Sequence, residues 1–208
     1  SNKGKELVNV DSTQIEIADL PIQMEGTEYL IHPVGDLSVS EKAIKNRYGS
    51  SSVNDLSFTI SNVAQYEITG YLQNLKFQKI DSDSIKSLTD KPVLIQTATY
   101  LKSVSDKTKK QIMVYTMVDV DTNKDGKLDT SDIKALYLSE ISGEKFTKIS
   151  LDFQELIDWN LIESTNRLYF RTVEDTNKNG QFDTKDVVNY NYIDLSKKEW
   201  KVIEYKPV

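Results

Sequence analysis

Most of this chain alternates apolar and polar residues with a period of two, a pattern that admits β-sheet and does not suit a bundle of helices. The alternation marks strands at 13–20, 28–33, 58–63, 66–80, 93–104, 111–120, 133–141, 167–174, 187–195 and 200–205. Within 111–120 both phases are apolar, with Ile112, Val114 and Val118 on one side and Met113, Tyr115 and Met117 on the other. A strand of that kind belongs in the middle of a sheet covered on both faces. The best helix segment is 38–48, where Ser40 is placed to cap and 41–47 contain strong helix formers; 152–158 offers one short turn at most. The fold class expected is all-β, built of antiparallel sheets, with one short helix in the N-terminal half.

Composition narrows the function classes. At 208 residues the chain is long enough to bury a core without a covalent staple. It has 26 Lys and Arg against 32 Asp and Glu, a net charge of -6, and no basic cluster clear of acids, so no nucleic-acid partner is expected. With no Cys, disulfides, thiolate chemistry and Cys-ligated zinc are excluded, and with His32 as the sole histidine so is a multi-histidine metal site. No stretch approaches the roughly 18 consecutive apolar residues of a helical membrane span. Residues 1–5 are polar and small, and 1–12 read as a tether. An export signal removed upstream of Ser1, ending at a lipidated cysteine, is one reading of this end, and would place the domain in the periplasm or on the cell surface; an arbitrary start of the chain is the other.

The specific chemistry lies in a duplication. Residues 121–132 (DTNKDGKLDTSD) and 175–186 (DTNKNGQFDTKD) agree at eight of twelve positions and lie 54 residues apart. Both follow D-x-N-x-[DN]-G-x-x-D-x-x-D. A hard cation the size of Ca²⁺ takes six to eight oxygens near 2.4 Å, and a short loop surrounds it only if alternate side chains converge around a glycine that accepts a left-handed turn. The candidate ligands are Asp121, Asn123, Asp125, the Lys127 carbonyl, Asp129 and Asp132 in the first loop. In the second they are Asp175, Asn177, Asn179, the Gln181 carbonyl, Asp183 and Asp186. An Asn/Asp/Gly-rich turn without metal is the plainer alternative for each loop. That both copies keep their acids while Lys127/Gln181 and Ser131/Lys185 differ favours two structural calcium sites. The first loop has four carboxylates and the second three, so the first is expected to bind more tightly, both within about 10⁻⁵ to 10⁻³ M.

The loops resemble those of EF-hands, and more specifically the calcium loops of dockerin modules, in which Asp stands at the twelfth position. The likeness stops at the loops, because the residues before them and after the second alternate as strands do. Beyond the loops a four-strand unit is traced at 93–104, 110–120, 133–141 and 145–150. A second is traced at 153–162, 167–174, 187–195 and 200–205, where Asp158-Trp159-Asn160-Leu161-Ile162-Glu163, Asn166-Arg167-Leu168-Tyr169-Phe170 and Tyr192-Ile193-Asp194-Leu195 resemble a blade of a TolB-like β-propeller. A degenerate third unit spans 58–88. At roughly 40 residues per blade and four blades to close a ring, the resemblance implies a small or incomplete propeller or a twisted stack of sheets. The chain thus divides into a tether (1–12), a β region with the degenerate repeat (13–90) and two repeats carrying the first (91–150) and second (151–208) calcium loops.

The remaining residues offer less. His32, at a strand end before Pro33, reads as an ordinary histidine. The acid pairs Asp152/Glu155 and Asp158/Glu163 would serve a calcium-dependent glycan-active enzyme only if two carboxyls stood roughly 5 to 9 Å apart in an aromatic cleft. Tyr137, Trp159, Tyr169, Tyr190, Tyr192 and Trp200 read as sheet packing before they read as a sugar- or peptide-binding face. Residues 107–110 and 197–198 read as charged turns. The function expected is a non-enzymatic, extracytoplasmic, calcium-binding β-protein that acts as a binding or scaffold module for a protein or glycan. A dockerin-like partner-binding module is a further alternative, and exposed strand edges make self-association an expectation.

Overall fold

In a computed structural model, which describes residues 15–37, 59–174, 183 and 186–208, the alternating segments form two antiparallel sheets. The larger has ten strands: β1 (Glu16–Ala18), β2 (Ile22–Gln23), β3 (Tyr29–Asp36), β4 (Ser61–Ala64), β5 (Glu67–Lys79), β6 (Ile85–Ser87), β7 (Leu94–Tyr100), β8 (Ile112–Val118), β9 (Lys134–Glu140) and β10 (Thr147–Lys148). Its main path runs β1-β3-β5-β7-β8-β9-β10, with β2 beside β3 and with β4 and β6 beside β5. The smaller is a serial meander of β11 (Gln154–Ile162), β12 (Arg167–Glu174), β13 (Val187–Asp194) and β14 (Ile203–Tyr205). A single short helix among the described residues, α1 (Lys102–Thr108), joins β7 to β8.

β5 is long enough to take two partners on each edge. β4 pairs its first half and β3 its second, while β7 and β6 divide the opposite edge in the same way. The strand bends where the partners change, and the register slips between Thr69 and Leu72. Gly70 permits the bend, because a Cβ there would lie 2.9 Å from the Ile60 carbonyl. The sheet curls until the turn after β9 rests on β5. At Gly143, φ is 81° and an added Cβ would fall 2.6 Å from the Phe77 ring.

β8 sits where the two cores meet. All seven of its residues are buried, as expected from the two apolar phases. Met113, Tyr115 and Met117 join Ile31, Leu75 and Phe77 inside the curl. Ile112 and Val114 face the other way, where Leu136 and Leu138 of β9 meet Leu156, Leu168, Phe170 and Ile193 of the second sheet. Both four-strand units read from the repeat are present as meanders, β7-β8-β9-β10 and β11-β12-β13-β14, although the first continues through β7 into β5 rather than standing apart. The segment 58–88 is instead organised around β5, which both β4 and β6 flank.

Three local expectations change. The expected helix at 38–48 lies outside the described residues. The strand expected over 93–104 stops at Tyr100, and α1 follows because Leu101 and Val104, three apart, turn one helical face into the second core while Lys102 pairs with Asp106 on the other. Residues 107–110, read as a charged hairpin turn, close that helix instead, with Lys109 at φ 65° donating its N–H to the Ser105 carbonyl. The turn read at 152–158 gives way to β11 from Gln154 onward.

The second sheet is held by cluster packing, so Leu168→Ala, at a side chain 0 % exposed, is expected to cost about 2–5 kcal/mol in chemical denaturation. Tyr115→Phe is expected to cost only about 1 kcal/mol. It removes a single hydrogen bond of 2.6 Å from the phenol to Ser139 Oγ, whose own proton goes to the Glu140 carbonyl.

Candidate metal centre

The two acidic loops occupy the same place in the two meanders. Residues 121–132 connect β8 to β9, and 175–186 connect β12 to β13, each the second and third strand of its unit. Strands rather than helices therefore flank both loops, as the alternation required.

In the first loop the side-chain oxygens turn inward on the loop's own N–H groups. Asp121 accepts from Asp125 N at 3.2 Å and Gly126 N at 2.9 Å, and Asn123 Oδ1 accepts from Asp125 N at 3.1 Å. Asp125 accepts from Lys127 N, and Asp129 from Ser131 N. Gly126 takes φ 85° and Lys124 φ 61°, so the sharp turn expected at the sixth position is present. Asp132 is the keystone. Only 4 % exposed, it spreads one oxygen over Thr122 N (2.9 Å), Thr122 Oγ1 and Asn123 N, and the other over Asp129 N (3.0 Å).

Of the second loop, Asp183 and Asp186 are described, while Asp175, Asn177, Asn179 and Gln181 lie outside the described residues. The described pair repeats the first loop's end: Asp183 N donates to Asp186 Oδ2 and Asp186 N to the Asp183 carbonyl, as Asp129 N does to Asp132 and Asp132 N to the Asp129 carbonyl. Among the described residues no three His, Asp or Glu side chains are gathered closely enough to hold an ion as they stand. The donors nevertheless fit a hard cation in kind, since the first loop offers four carboxylates and the Asn123 amide oxygen, and Asp121, Asp125, Asp129 and Asp132 form no ion pair with a described lysine or arginine.

Residues around the loop fix its stem. Asp119, two positions before it, takes a hydrogen bond of 2.5 Å from Tyr137 Oη and a salt bridge of 2.8 Å from Lys148, which also reaches Asp152. Burial and the Asp119 carboxylate together push the Tyr137 phenol well above its usual range. Burial pulls Lys148 down, but its two carboxylate partners outweigh that and raise it overall. At the other end Lys134 N donates to Glu155 Oε2 of β11 at 2.5 Å, and Glu155 is paired with Val173 at the entrance to the second loop. The strand ends that carry the two loops thus lie together, joined by a half-buried carboxylate whose burial raises its pKa against the opposing pull of the Lys134 N–H.

Sequence reasoning passed over Thr122, although its hydroxyl accepts from Ile133 N at 2.9 Å and closes the loop. The signal was there, since Thr also stands at the second position of the other copy. Glu155 and Lys148 left none. Of the two acid pairs weighed as catalytic, Asp152/Glu155 is engaged separately, Asp152 with Lys148 and Glu155 with Lys134 N, and in Asp158/Glu163 Asp158 binds Arg171 through two hydrogen bonds of 2.8 and 2.6 Å, which hold it below the usual carboxylate range. His32 is half-buried against Gln78 at 2.8 Å. The aromatics divide: Tyr137 stacks on Phe146, Trp159 and Trp200 pack on the second core, and Tyr169, Tyr190 and Tyr192 gather with Tyr205 on the outer face of the second sheet. No family model matches the chain, and no curated protein is similar to it.

Asp132→Ala removes a charged acceptor shared by the Thr122, Asn123 and Asp129 N–H groups and is expected to cost about 1–3 kcal/mol even in chelator, read by urea unfolding. Glu155→Gln keeps an acceptor for Lys134 N but removes a charge that folding disfavours. Because the folded pKa is raised, the wild type loses stability as pH climbs through and just above the ordinary carboxylate range, and the loss persists above it. The variant is expected to gain melting temperature over wild type at neutral pH, with the gain vanishing once pH falls below that range.

Proposed function

We propose that this chain is a non-enzymatic calcium-binding β-protein that works outside the cytoplasm as a binding or scaffold module, with Ca²⁺ as a structural ion in residues 121–132 and 175–186. One observation carries the reading: two copies of one oxygen-rich loop connect the same pair of strands in two meanders, and the strand ends that carry them lie together. Neutralising the carboxylates of each loop would order the hairpin it closes, and through Lys134 and Glu155 would brace the two sheets against each other. Loops of this chemistry saturate at the millimolar calcium of an extracellular medium and stay empty in a cytoplasm. Four-strand meanders with decorated connections also suit the resemblance to TolB-like propeller repeats. The dockerin-like alternative needs helices after the loops, where β9 and β13 stand.

The test is thermal unfolding of the demetallated chain with and without about 1 mM Ca²⁺, with Mg²⁺ as control. At about 1 mM Ca²⁺ a site at the tight end of the expected range, about 10⁻⁵ M, gains about 2.7 kcal/mol, so a Ca²⁺-specific rise of several degrees is expected. Asp121→Asn with Asp175→Asn should abolish the rise. In the described loop, the amide that replaces the Asp121 carboxylate keeps one oxygen for the Gly126 N–H, while the Asp125 N–H retains Asn123 Oδ1, so the melting point in chelator should move little. An unchanged melting temperature in Ca²⁺ would reduce both loops to polar turns.

A further inference from the structure

The inner face of the second sheet does not stay apolar. Across β11, β12 and β13 one row reads Leu161, Leu168, Ile193, as a core should. The next, extended by β14, reads Trp159, Phe170, Asn191, Glu204; then come Leu156, Thr172, Asn189 and finally Gln154, Glu174, Val187. The polar end of this face and the linker 149–151 enclose a half-open cleft of about 480 Å³. Gln154, Glu174, Asn189, Asn191 and Glu204 line it from the sheet and Ser150 from the linker. Burying polar groups on a core-facing surface is unfavourable unless partners satisfy them, and sites where a sequence breaks its own pattern are where ligands bind. Thr172 and Gln154 satisfy each other at 2.9 Å. Asn189 Nδ2 does not: it is buried and has no hydrogen-bond partner among the described residues.

We propose that this cleft is a binding site for an amino sugar, a compact ligand carrying a protonated amine among hydroxyl groups. The described wall holds two carboxylates, Glu174 and Glu204, and no lysine or arginine, so its charge selects a cation. The Asn189 amide requires an acceptor from the same ligand, and the amides of Gln154, Asn189 and Asn191 ask for groups that both donate and accept, as hydroxyls do. A lysine side chain satisfies the charge but brings no hydroxyl to the amides of Gln154, Asn189 and Asn191. The site is separate from the first calcium loop, on the opposite face of β11 from the Glu155 bridge.

The experiment is titration of the isotope-labelled full chain, in constant Ca²⁺, with glucosamine up to about 10 mM, the weakest affinity worth calling a site. The readout is the side-chain amide signals of Asn189 and Asn191. Saturable shifts of these signals, weakened about tenfold or more in Glu174→Gln with Glu204→Gln, are the expected result. N-acetylglucosamine, which lacks the positive charge, should shift them far less, and lysine amide should bind more weakly than glucosamine. No saturation, equal binding of N-acetylglucosamine, tighter binding of lysine amide, or affinity unchanged by the double substitution would each overturn the assignment. The amide spectrum of the double variant reports its fold independently, and Asn189→Leu, which removes the amide without adding a charge and is read on the Asn191 signal, provides a second variant expected to weaken the hydroxyl-bearing ligand.

Discussion

Two-sided burial of β8 is the constraint from which the rest of this architecture follows. A strand with one apolar phase can close a single core; β8 has two and closes both, Met113, Tyr115 and Met117 into the curl of the large sheet and Ile112 and Val114 against the second. The large sheet cannot flatten without uncovering the first set, and the second sheet cannot leave without uncovering the other. Burial of this area is worth about 25 cal/mol per Å². No polar contact between the sheets competes with that, so packing at β8 fixes where β9 runs and therefore where the first acidic loop opens.

Much of this was legible because strands bury alternate residues, and alternation survives in a sequence whatever the partners are. The seven buried residues of β8 follow directly from its doubled apolar phase. The loops were legible for another reason: a short closed ring of hydrogen bonds between near neighbours dictates residue type locally, and Gly126, Asp121 and Asp132 each answer a need within eleven positions. What escaped depends on distance in sequence. β5 takes four partners, and nothing in its own residues says that the edge should change hands near Gly70. Helix α1 escaped because Val93 to Val104 keeps its alternation through Tyr100, and only the three-residue step from Leu101 to Val104 betrays the change.

The polar end of the second sheet is instructive in the same terms. Asn189 and Asn191 alternate with Val188 and Tyr190, so the period is that of a strand, yet the phase is inverted: polar residues face the core side and Tyr190 and Tyr192 face out. A periodicity argument registers the strand and is blind to which phase turns inward. The phase is set elsewhere, by Leu195 and Ile193 at the apolar end, both 0 % exposed, which seat the strand and leave Asn191 and Asn189 no other direction.

The two features that break the pattern of an ordinary β-protein lie at the same end. The Gln154–Glu174–Val187 row that ends the polar face adjoins the second loop, and Glu155, the next residue of β11, carries the hydrogen bond to Lys134 at the end of the first. Alternation puts Gln154 and Glu155 on opposite faces of one strand, so the cleft and the bridge between loops share a backbone but not a surface. A shift of β11 along its own axis would therefore act on both at once, lengthening the Lys134 bond while moving Gln154 against Thr172. The irregularity needed to absorb such a shift is already present: the register of β11 on β12 slips between Leu156 and Asp158, one residue beyond the bridge. Bulges localise bending in a sheet, and this one lets the end of β11 that carries Gln154, Glu155 and the core residue Leu156 shift relative to Trp159 and Leu161, which pack on the same core from beyond the slip.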